Sequence, residues 1–293
     1  CGSAGKVTHA YNTPGGGAEV NGGTFNLYGG SITLNTADDG GGVYVHSNGE
    51  FNMYGGKITD NTATKGGGVK VTGGKFNLYG GEIADNKAEG KNSTGGGVYV
   101  YEGTFTMSGG TISGNTADST NGANGGVGVY NKATFTMNGG TISGNKAKSQ
   151  GGGVGVNNGG TFTMNGGTIG GTNDGDANTA AKGGGVYVSN GGKFTMSGGE
   201  ISRNTTTTGN GGGVYMDGIT FNMNDGAISG NTATQKGGGV YVNSGTFNMN
   251  SGAISGNEAT NSKKTDTTYG GGVYVNGGTF TMNGEATSVS NNK

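Results

Sequence analysis

The sequence predicts an all-β protein that folds as a right-handed, single-stranded parallel β-helix of about ten coils. Phenylalanine recurs at intervals from 25 residues (Phe51 to Phe76) to 33 residues (Phe247 to Phe280). Each Phe lies in a repeat that reads Gly-Gly-Gly-Val-x-Val, then Thr-Phe-x-Met, then x-Ile-x-x-Asn-x-Ala. The chain has 74 glycines and one proline, which is neither a collagen nor a proline-rich composition. The ten phenylalanines, all that the chain contains, are Phe25, Phe51, Phe76, Phe105, Phe135, Phe162, Phe194, Phe221, Phe247 and Phe280.

Three short strands are expected in each repeat. In the second repeat, the segments 43–45, 51–53 and 57–59 alternate apolar and polar residues with the period of two that is typical of strands. Most of the glycines fall between such segments, where a residue without Cβ permits a positive φ. The alternation and the glycines together exclude a helical repeat.

Strands this short, joined by corners of one or two residues, cannot form antiparallel hairpins in one register over ten copies. Wound as coils, they pair with their equivalents in the next repeat and bury columns of Val, Phe, Met or Leu, and Ile. Ten coils at about 4.8 Å each make a rod of about 50 Å. We assign residues 1–14 to an N-terminal segment or partial coil and residues 15–293 to the β-helix, which is a slice of, or a subunit in, a longer solenoid.

An asparagine three residues after the repeat Ile predicts an internal ladder of side-chain amides. Stacked amides can bond to one another along the axis and satisfy backbone groups at a bend. The sixth coil carries Thr172 at this position, beside an insertion from Thr172 to Lys182, so the ladder is expected to break there. The ladder residues are Asn35, Asn61, Asn86, Asn115, Asn145, Asn204, Asn231 and Asn257, followed by Asn292.

The motif Ile-x-x-Asn-x-Ala, followed after a variable loop by Gly-Gly-Gly-Val, occurs for example in Ile58 to Val69 and in Ile228 to Val240. It resembles the repeats of polymorphic outer-membrane and adhesin-type β-helix proteins of bacterial surfaces. The resemblance extends from Gly15 to Asn292. It implies a secreted passenger or stalk that acts in adhesion.

The first residues and the open ends carry two further expectations. Cys1, followed by Gly2 and Ser3, resembles the lipid-bearing cysteine of a mature bacterial lipoprotein, and a fragment boundary is the alternative. A lone cysteine fits an exported protein that does not depend on disulfides. Open third strands at Val7-Thr8 and 288–290 predict either a longer solenoid or a subunit whose ends meet those of other copies.

Charge and composition exclude several functions. The 17 basic and 18 acidic residues leave a net charge of −1, so nothing favours a nucleic-acid partner. No apolar run approaches the length of a membrane span. Outward positions are mostly Thr, Asn, Ser and Tyr, Arg203 is the only arginine, and His9 and His46 have no partner in the repeat. The clustered carboxylates that polysaccharide-cleaving enzymes need are missing, so we expect no enzymatic activity.

One segment has the alternating oxygen ligands of a calcium loop. It runs from Asn173 to Asn178, and its candidate ligands are Asp174, Asp176 and Asn178. The segment lacks the glycine at the sixth position and the distant bidentate Glu of such loops. A solvated turn is therefore the alternative, and no other cofactor is expected.

Two rows of tyrosines are predicted to point outward. The first, on the first strand of successive coils, comprises Tyr187, Tyr215, Tyr241 and Tyr274, with Tyr44 and Tyr99 earlier in the column; the second comprises Tyr28, Tyr54 and Tyr79. Rings stacked about 4.8 Å apart form an aromatic strip that can bind sugars or a neighbouring rod. The alternative is cross-coil stacking that only stabilises the sheet.

Two other outward features point to binding less directly. Thr-x-Thr pairs on the second strand look like the arrays of ice-binding β-solenoids, although Glu50, Lys75 and Lys193 interrupt them. Polar insertions gather on one edge, between Asn-x-Ala and the glycine run, where they either carry recognition or are decoration. The long insertions are Glu89 to Thr94, Asp118 to Asn124, Thr172 to Lys182 and Ala259 to Tyr269.

These features predict an extracellular, non-enzymatic structural or adhesive rod on a bacterial surface. Its expected partner is a host or environmental glycan or a surface protein. The alternative is a subunit of an extracellular filament, whose partner is another copy of the chain. Ice binding and activity on polysaccharides are less favoured.

Overall fold

The computed structural model describes residues 15–171, 173–260 and 269–293, together with the backbone of Lys6–Val7. The chain is an all-β solenoid of about nine turns, and every strand pairing among these residues is parallel. Three sheets run along its axis. The predicted fold is confirmed, since ten second strands in register span nine turns.

The first strands form a ten-stranded sheet in which each glycine run leads into Val-x-Val. Its strands are Ala18–Val20, Val43–Val45, Val69–Thr72, Val98–Tyr101, Val127–Tyr130, Val154–Asn157, Val186–Ser189, Val214–Asp217, Val240–Val242 and Val273–Val275.

The second and third strands belong to one 19-stranded sheet, because in two coils a single strand runs through the corner. The second strands are Thr24–Leu27, Glu50–Met53, Lys75–Leu78, Thr104–Met107, Thr134–Met137, Thr161–Met164, Thr246–Met249 and Thr279–Met282. The third strands are Lys6–Val7, Ser31–Thr33, Lys57–Thr59, Glu82–Ala84, Thr111–Ser113, Thr141–Ser143, Thr168–Gly170, Gly252–Ser255 and Thr287–Ser290. The two continuous strands are Lys193–Ser202 and Thr220–Ser229.

A fourth strand of two residues, which the sequence did not predict, follows the ladder asparagine in most coils. Its Ala points inward, as at Ala63 and Ala88, and its backbone pairs with the next coil. Two residues are too few to show a period of two, so the pattern of the sequence does not reveal this strand. The eight members are Thr62–Ala63, Lys87–Ala88, Thr116–Ala117, Lys146–Ala147, Thr179–Ala180, Thr205–Thr206, Thr232–Ala233 and Glu258–Ala259.

The core is one continuous column of apolar side chains along the axis. Phenylalanine rings of adjacent coils stack with centroids 4.4 to 5.1 Å apart and planes within 18° of parallel. The eight rings from Phe51 to Phe247 are buried, whereas Phe25 and Phe280 are half-buried at the two end coils. In the last coil, Val275, Met282 and Val289 occupy core columns but are 40–45% exposed, because no described coil covers them.

The glycine runs allow the coils to approach one another closely. Gly40 opens its run at a φ of +59°, the left-handed region that side chains disfavour. A Cβ on Gly42 would lie 2.6 Å from the carbonyl oxygen of Gly68 and 2.7 Å from Cγ2 of Ile58. Because Gly42, the third glycine, has no side chain, its backbone packs directly against the backbone of the next coil and against the Ile column.

The asparagine ladder runs unbroken along the axis. The backbone N–H and Nδ2 of Asn61 both donate to Oδ1 of Asn86, at 3.0 Å each, and Nδ2 also donates to the carbonyl oxygen of Ile32 at 2.9 Å. The same arrangement continues from coil to coil and ends at Asn292. Each buried amide from Asn61 to Asn257 thus has partners in the coils on both sides, as buried polar groups require.

The expected break in the sixth coil does not occur. Asn178, inside the insertion, takes the position for which Thr172 was expected; Thr172 lies outside the described residues. Asn145 donates to Oδ1 of Asn178 at 2.9 Å, and Nδ2 of Asn178 donates to Oδ1 of Asn204 at 2.9 Å. The insertion thus adds residues before Asn178, and the amide of Asn178 still occupies the ladder position of the sixth coil.

The two ends of the described solenoid carry third strands. Lys6–Val7 pairs with Ser31–Thr33, where the sequence predicts a strand at Val7-Thr8, and Thr287–Ser290, predicted at 288–290, pairs with Gly252–Ser255. Cys1, Thr8, His9 and Pro14 lie outside the described residues. No helix in the described part of the chain is long and apolar enough to cross a membrane.

Candidate contact surfaces

The tyrosines of the second row form an exposed stack, called here the exposed tyrosine row: Tyr28, Tyr54 and Tyr79. Each follows the last residue of a second strand, and the register of those strands places the three side chains one above another. Ring centroids are 4.9 and 4.8 Å apart, with interplanar angles of 8° and 9°. The rings are 73%, 45% and 47% exposed, respectively. The three rings form an aromatic strip with one phenol hydroxyl in each of these three coils.

Polar side chains flank the exposed tyrosine row. On the second strands, Nδ2 of Asn77 donates to Oδ1 of Asn52 at 2.8 Å, and Nδ2 of Asn52 donates to Oδ1 of Asn26 at 3.1 Å. On the third strands, Lys57 forms an ion pair with Glu82 at 2.7 Å, and this hydrogen-bonded carboxylate raises the pKa of Lys57. An amide ladder therefore lies on one side of the aromatic strip, and a charged pair on the other.

The central ring of the row is held in its neutral form. Desolvation raises the pKa of Tyr54, and Tyr79, Tyr28 and Glu50 raise it further by repelling the phenolate. Because an ordinary tyrosine already ionises only near pH 10, Tyr54 keeps its proton at physiological pH. Its hydroxyl is then able both to donate and to accept a hydrogen bond.

The corner column that contains this row changes chemistry after three coils. Serine and asparagine follow, and the asparagines hydrogen-bond to one another at the surface. Nδ2 of Asn165 donates to Oδ1 of Asn138, and Nδ2 of Asn283 donates to Oδ1 of Asn250, both at 2.9 Å. The seven residues after Tyr79 in the column are Ser108, Asn138, Asn165, Ser197, Asn224, Asn250 and Asn283.

The other row, called here the covered tyrosine row, comprises Tyr187, Tyr215, Tyr241 and Tyr274. Its rings stack as predicted, with centroids 5.1, 5.0 and 5.5 Å apart. However, Tyr187, Tyr215 and Tyr241 are only 5–6% exposed, and Tyr274 is partly buried. The expectation of an exposed strip is therefore wrong for this row, and its first three members do not form a contact surface.

At four glycine runs, the residue before the run contacts the tyrosine of the following coil. Nζ of Lys182 lies 5.4 Å from the centroid of the Tyr215 ring, a cation–π distance. Desolvation raises the pKa of Tyr215 well above its usual range. The other three such contacts join Gln150 Nε2 to Tyr187 Oη at 3.0 Å, Lys236 Nζ to Tyr274 Oη at 3.2 Å, and Lys65 Nζ to the Tyr99 ring at 5.9 Å.

Sequence reasoning missed these covering residues, although the pattern contains a signal for them. Lys65, Gln150, Lys182 and Lys236 all stand immediately before a glycine run. The runs stack in register, so a long side chain at this position reaches over the first strand of the next coil. A long polar residue before the run therefore indicates a covered tyrosine.

Glycines interrupt the same column in the middle of the solenoid, at Gly128 and Gly155. Asn124 lies where a side chain at either position would point. Oη of Tyr130 shares its one proton between the carbonyl oxygen of Gly122 at 2.7 Å and Oδ1 of Asn124 at 2.9 Å. Desolvation raises the pKa of Tyr130 to about 12. Here the insertion Asp118 to Asn124 is anchored onto the first sheet.

The segment expected to bind calcium contains a hydrogen-bonded turn. It forms a single 3-10 turn, Asp174–Asp176, in which the N–H and Nδ2 of Asn173 donate to Oδ2 of Asp176 at 3.0 and 3.1 Å. The side-chain amide of Asn178 hydrogen-bonds to Asn145 and Asn204 within the ladder. The side chain of Asp174 lies outside the described set. Among the described residues, no group of three or more His, Cys, Asp or Glu side chains could hold a metal ion.

Comparison with family models, with curated proteins and with solved structures finds no match for this chain.

Proposed function

We propose that this protein is a non-enzymatic β-solenoid rod on a bacterial surface that binds a glycan through the exposed tyrosine row. The observation that carries the proposal is the parallel stack of Tyr28, Tyr54 and Tyr79, whose rings are 45–73% exposed. The bacterial and extracellular location rests on the resemblance of the repeats to polymorphic outer-membrane and adhesin-type proteins. A surface protein is the alternative ligand.

The chemistry of the strip suits a sugar. Exposed aromatic surface binds the apolar face of a saccharide ring, and amides beside it supply hydrogen bonds to the hydroxyls. Here the amides of Asn26, Asn52 and Asn77 occupy the adjacent column. The stacked coils fix the rings in advance, so binding costs little side-chain entropy.

The test compares three forms of the full chain on a glycan array, followed by titration of any hit. The first form is the wild type, and the second carries Tyr28→Ser, Tyr54→Ser and Tyr79→Ser. The matched control carries Asn224→Ser, Asn250→Ser and Asn283→Ser, three changes in the same corner column of later coils. Circular dichroism and thermal melting establish that all three are folded.

We expect the tyrosine variant to lose affinity by about tenfold or more, since exposed aromatic anchors dominate contact energies. The control is expected to bind like the wild type. Equal binding by the wild type and the tyrosine variant would remove the row from the site.

Electron microscopy of the purified chain over a concentration series tests the filament alternative. Separate rods of about 50 Å are expected for a passenger or stalk. Continuous fibres, with the coil repeat running through the junctions between subunits, would instead favour end-to-end assembly as the function.

A further inference from the structure

A groove lies on the third-strand face of coils six to nine, away from both tyrosine rows. Its volume is about 560 Å³. Ser202, Ser229 and Ser255 form its floor, and Glu200 and Arg203 stand on either side of Ser202. We call it the serine groove.

The register of the third strands explains why the groove exists. Ser202, Ser229 and Ser255 are paired neighbours in successive coils, so their hydroxyls form one row. Beside them, the column of Glu200 continues with alanine, and the column of Arg203 continues with Gly230 and Gly256. Because the residues at these positions in the next two coils are alanine and glycine, the side chains of Glu200 and Arg203 project beyond the surface beside them.

The groups of the groove are only partly satisfied within the chain. The carboxylate of Glu200 accepts a hydrogen bond from Oγ of Ser229 at 2.7 Å. Arg203 is exposed, and no ion pair joins it to a described residue. Ser202 is only 5% exposed, but its hydroxyl, which bonds to no described residue, opens to the groove. Solvent reaches this hydroxyl, and a hydroxyl of a ligand in the groove would replace that water.

We propose that the serine groove binds a short acidic oligosaccharide. Its carboxylate pairs with the guanidinium of Arg203, which is shaped for two parallel hydrogen bonds to a planar carboxylate. Its hydroxyls bond to the carboxylate of Glu200 and to the serine row. The acidic group is placed at Arg203 because Asp176 lies against Gly171 at the other end of the groove and repels an anion there.

The structure favours a saccharide over an acidic peptide. The four third strands that underlie the groove are paired on both sides, so no free edge is offered to an extended peptide. The floor consists of hydroxyls and glycines and has no apolar pocket for a peptide side chain. Rows of hydroxyls that repeat with the coils suit a polyhydroxylated chain lying along the axis.

The experiment is calorimetric titration of the full chain with a trimer of a uronic acid and with a neutral trimer of the same length. Arg203→Gln removes the guanidinium. Lys193→Gln is the matched control, because it removes an equal, exposed charge at the start of the strand that ends just before Arg203, outside the groove. Ala227→Gln is a second groove variant, which places a longer side chain beside Glu200 without altering any charge.

We expect the acidic trimer to bind the wild type and Lys193→Gln alike, and the neutral trimer to bind far more weakly. Arg203→Gln and Ala227→Gln should each weaken binding by about tenfold or more, on the scale of one charge-assisted hydrogen bond. Three results would overturn the proposal: no heat from the acidic trimer, equal binding by Arg203→Gln, or equally tight binding of tri-glutamate. The Tyr28, Tyr54 and Tyr79 variant should bind the acidic trimer normally, so this site and the tyrosine row fail or succeed separately.

Discussion

The two tyrosine rows have the same ring chemistry and nearly the same spacing but opposite surroundings. Tyr54 stands at a corner after the second strand and is 45% exposed, whereas Tyr215 stands in the middle of the first strand and is 5% exposed. Both rings point away from the core column. The difference arises because Lys182, before the glycine run of the preceding coil, lies over Tyr215, while nothing comparable covers the corner.

The comparison separates the direction of a side chain from its exposure. The period of two along a strand fixes whether a residue points to the core or away from it. Exposure also depends on what the neighbouring coil places over the position, which no local pattern reports. The outward side of a solenoid therefore contains a second packed layer as well as open surface.

The largest effect expected from this difference is on stability. Tyr215→Ala should lower the free energy of unfolding by about 3 kcal/mol, because it leaves a cavity between two stacked rings and a lysine. Tyr54→Ala should lower it by less than about 1 kcal/mol, as for a half-exposed side chain on the surface. Chemical denaturation of both variants provides the measurement. Equal losses would show that the two rows are not distinguished by burial.

The same contrast between buried and exposed positions holds for asparagine, between the internal ladder and the corner column that follows Tyr79. Asn178→Ala should cost about 2 kcal/mol, because it leaves the buried amide and backbone N–H of Asn145 without their acceptor. Asn250→Ala, in the exposed corner column, should cost less than about 0.5 kcal/mol. Thermal and denaturant unfolding should rank the pair in this order. A small loss for Asn178→Ala would mean that water replaces the missing rung.

Repetition explains which features the sequence predicts well. The Phe column, the glycine corners and the asparagine ladder each occur in many copies, so one substitution does not hide the pattern. Asn178 was missed as a ladder residue because the insertion moves it away from the usual spacing after Ile. The covering role of Lys182 was missed because its contact joins residues in different coils. The serine groove depends on small residues in three successive third strands, a pattern visible only once the register is known.

Alkaline pH should destabilise the covered side of the solenoid. Desolvation raises the pKa values of Tyr215 and Tyr130, the latter to about 12, whereas an unfolded tyrosine ionises near pH 10. The stabilising contribution is therefore complete below about pH 10 and is lost between about pH 10 and 12, as the unfolded chain releases protons first. Each such tyrosine adds at most about 1.4 kcal/mol per pH unit to the fall of the unfolding free energy with pH. Unfolding free energies measured across this window should fall less steeply for Tyr130→Phe, and an unchanged slope would contradict the assignment.

The smallest effect concerns the cover itself. Lys182→Met keeps a long apolar side chain over Tyr215 but removes the ammonium, so it should cost about 0.5 to 1 kcal/mol, the value of one cation–π contact. Lys182→Ala also removes the covering chain, and it should additionally bring Tyr215 into solvent and lower its pKa, because desolvation is the main cause of the shift. Spectroscopic titration of the tyrosines in both variants separates the two contributions. If Lys182→Ala left the ionisation of the tyrosines unchanged, the neighbouring rings and backbone would suffice to bury the row, and the residue before the glycine run would not be what distinguishes it from the exposed one.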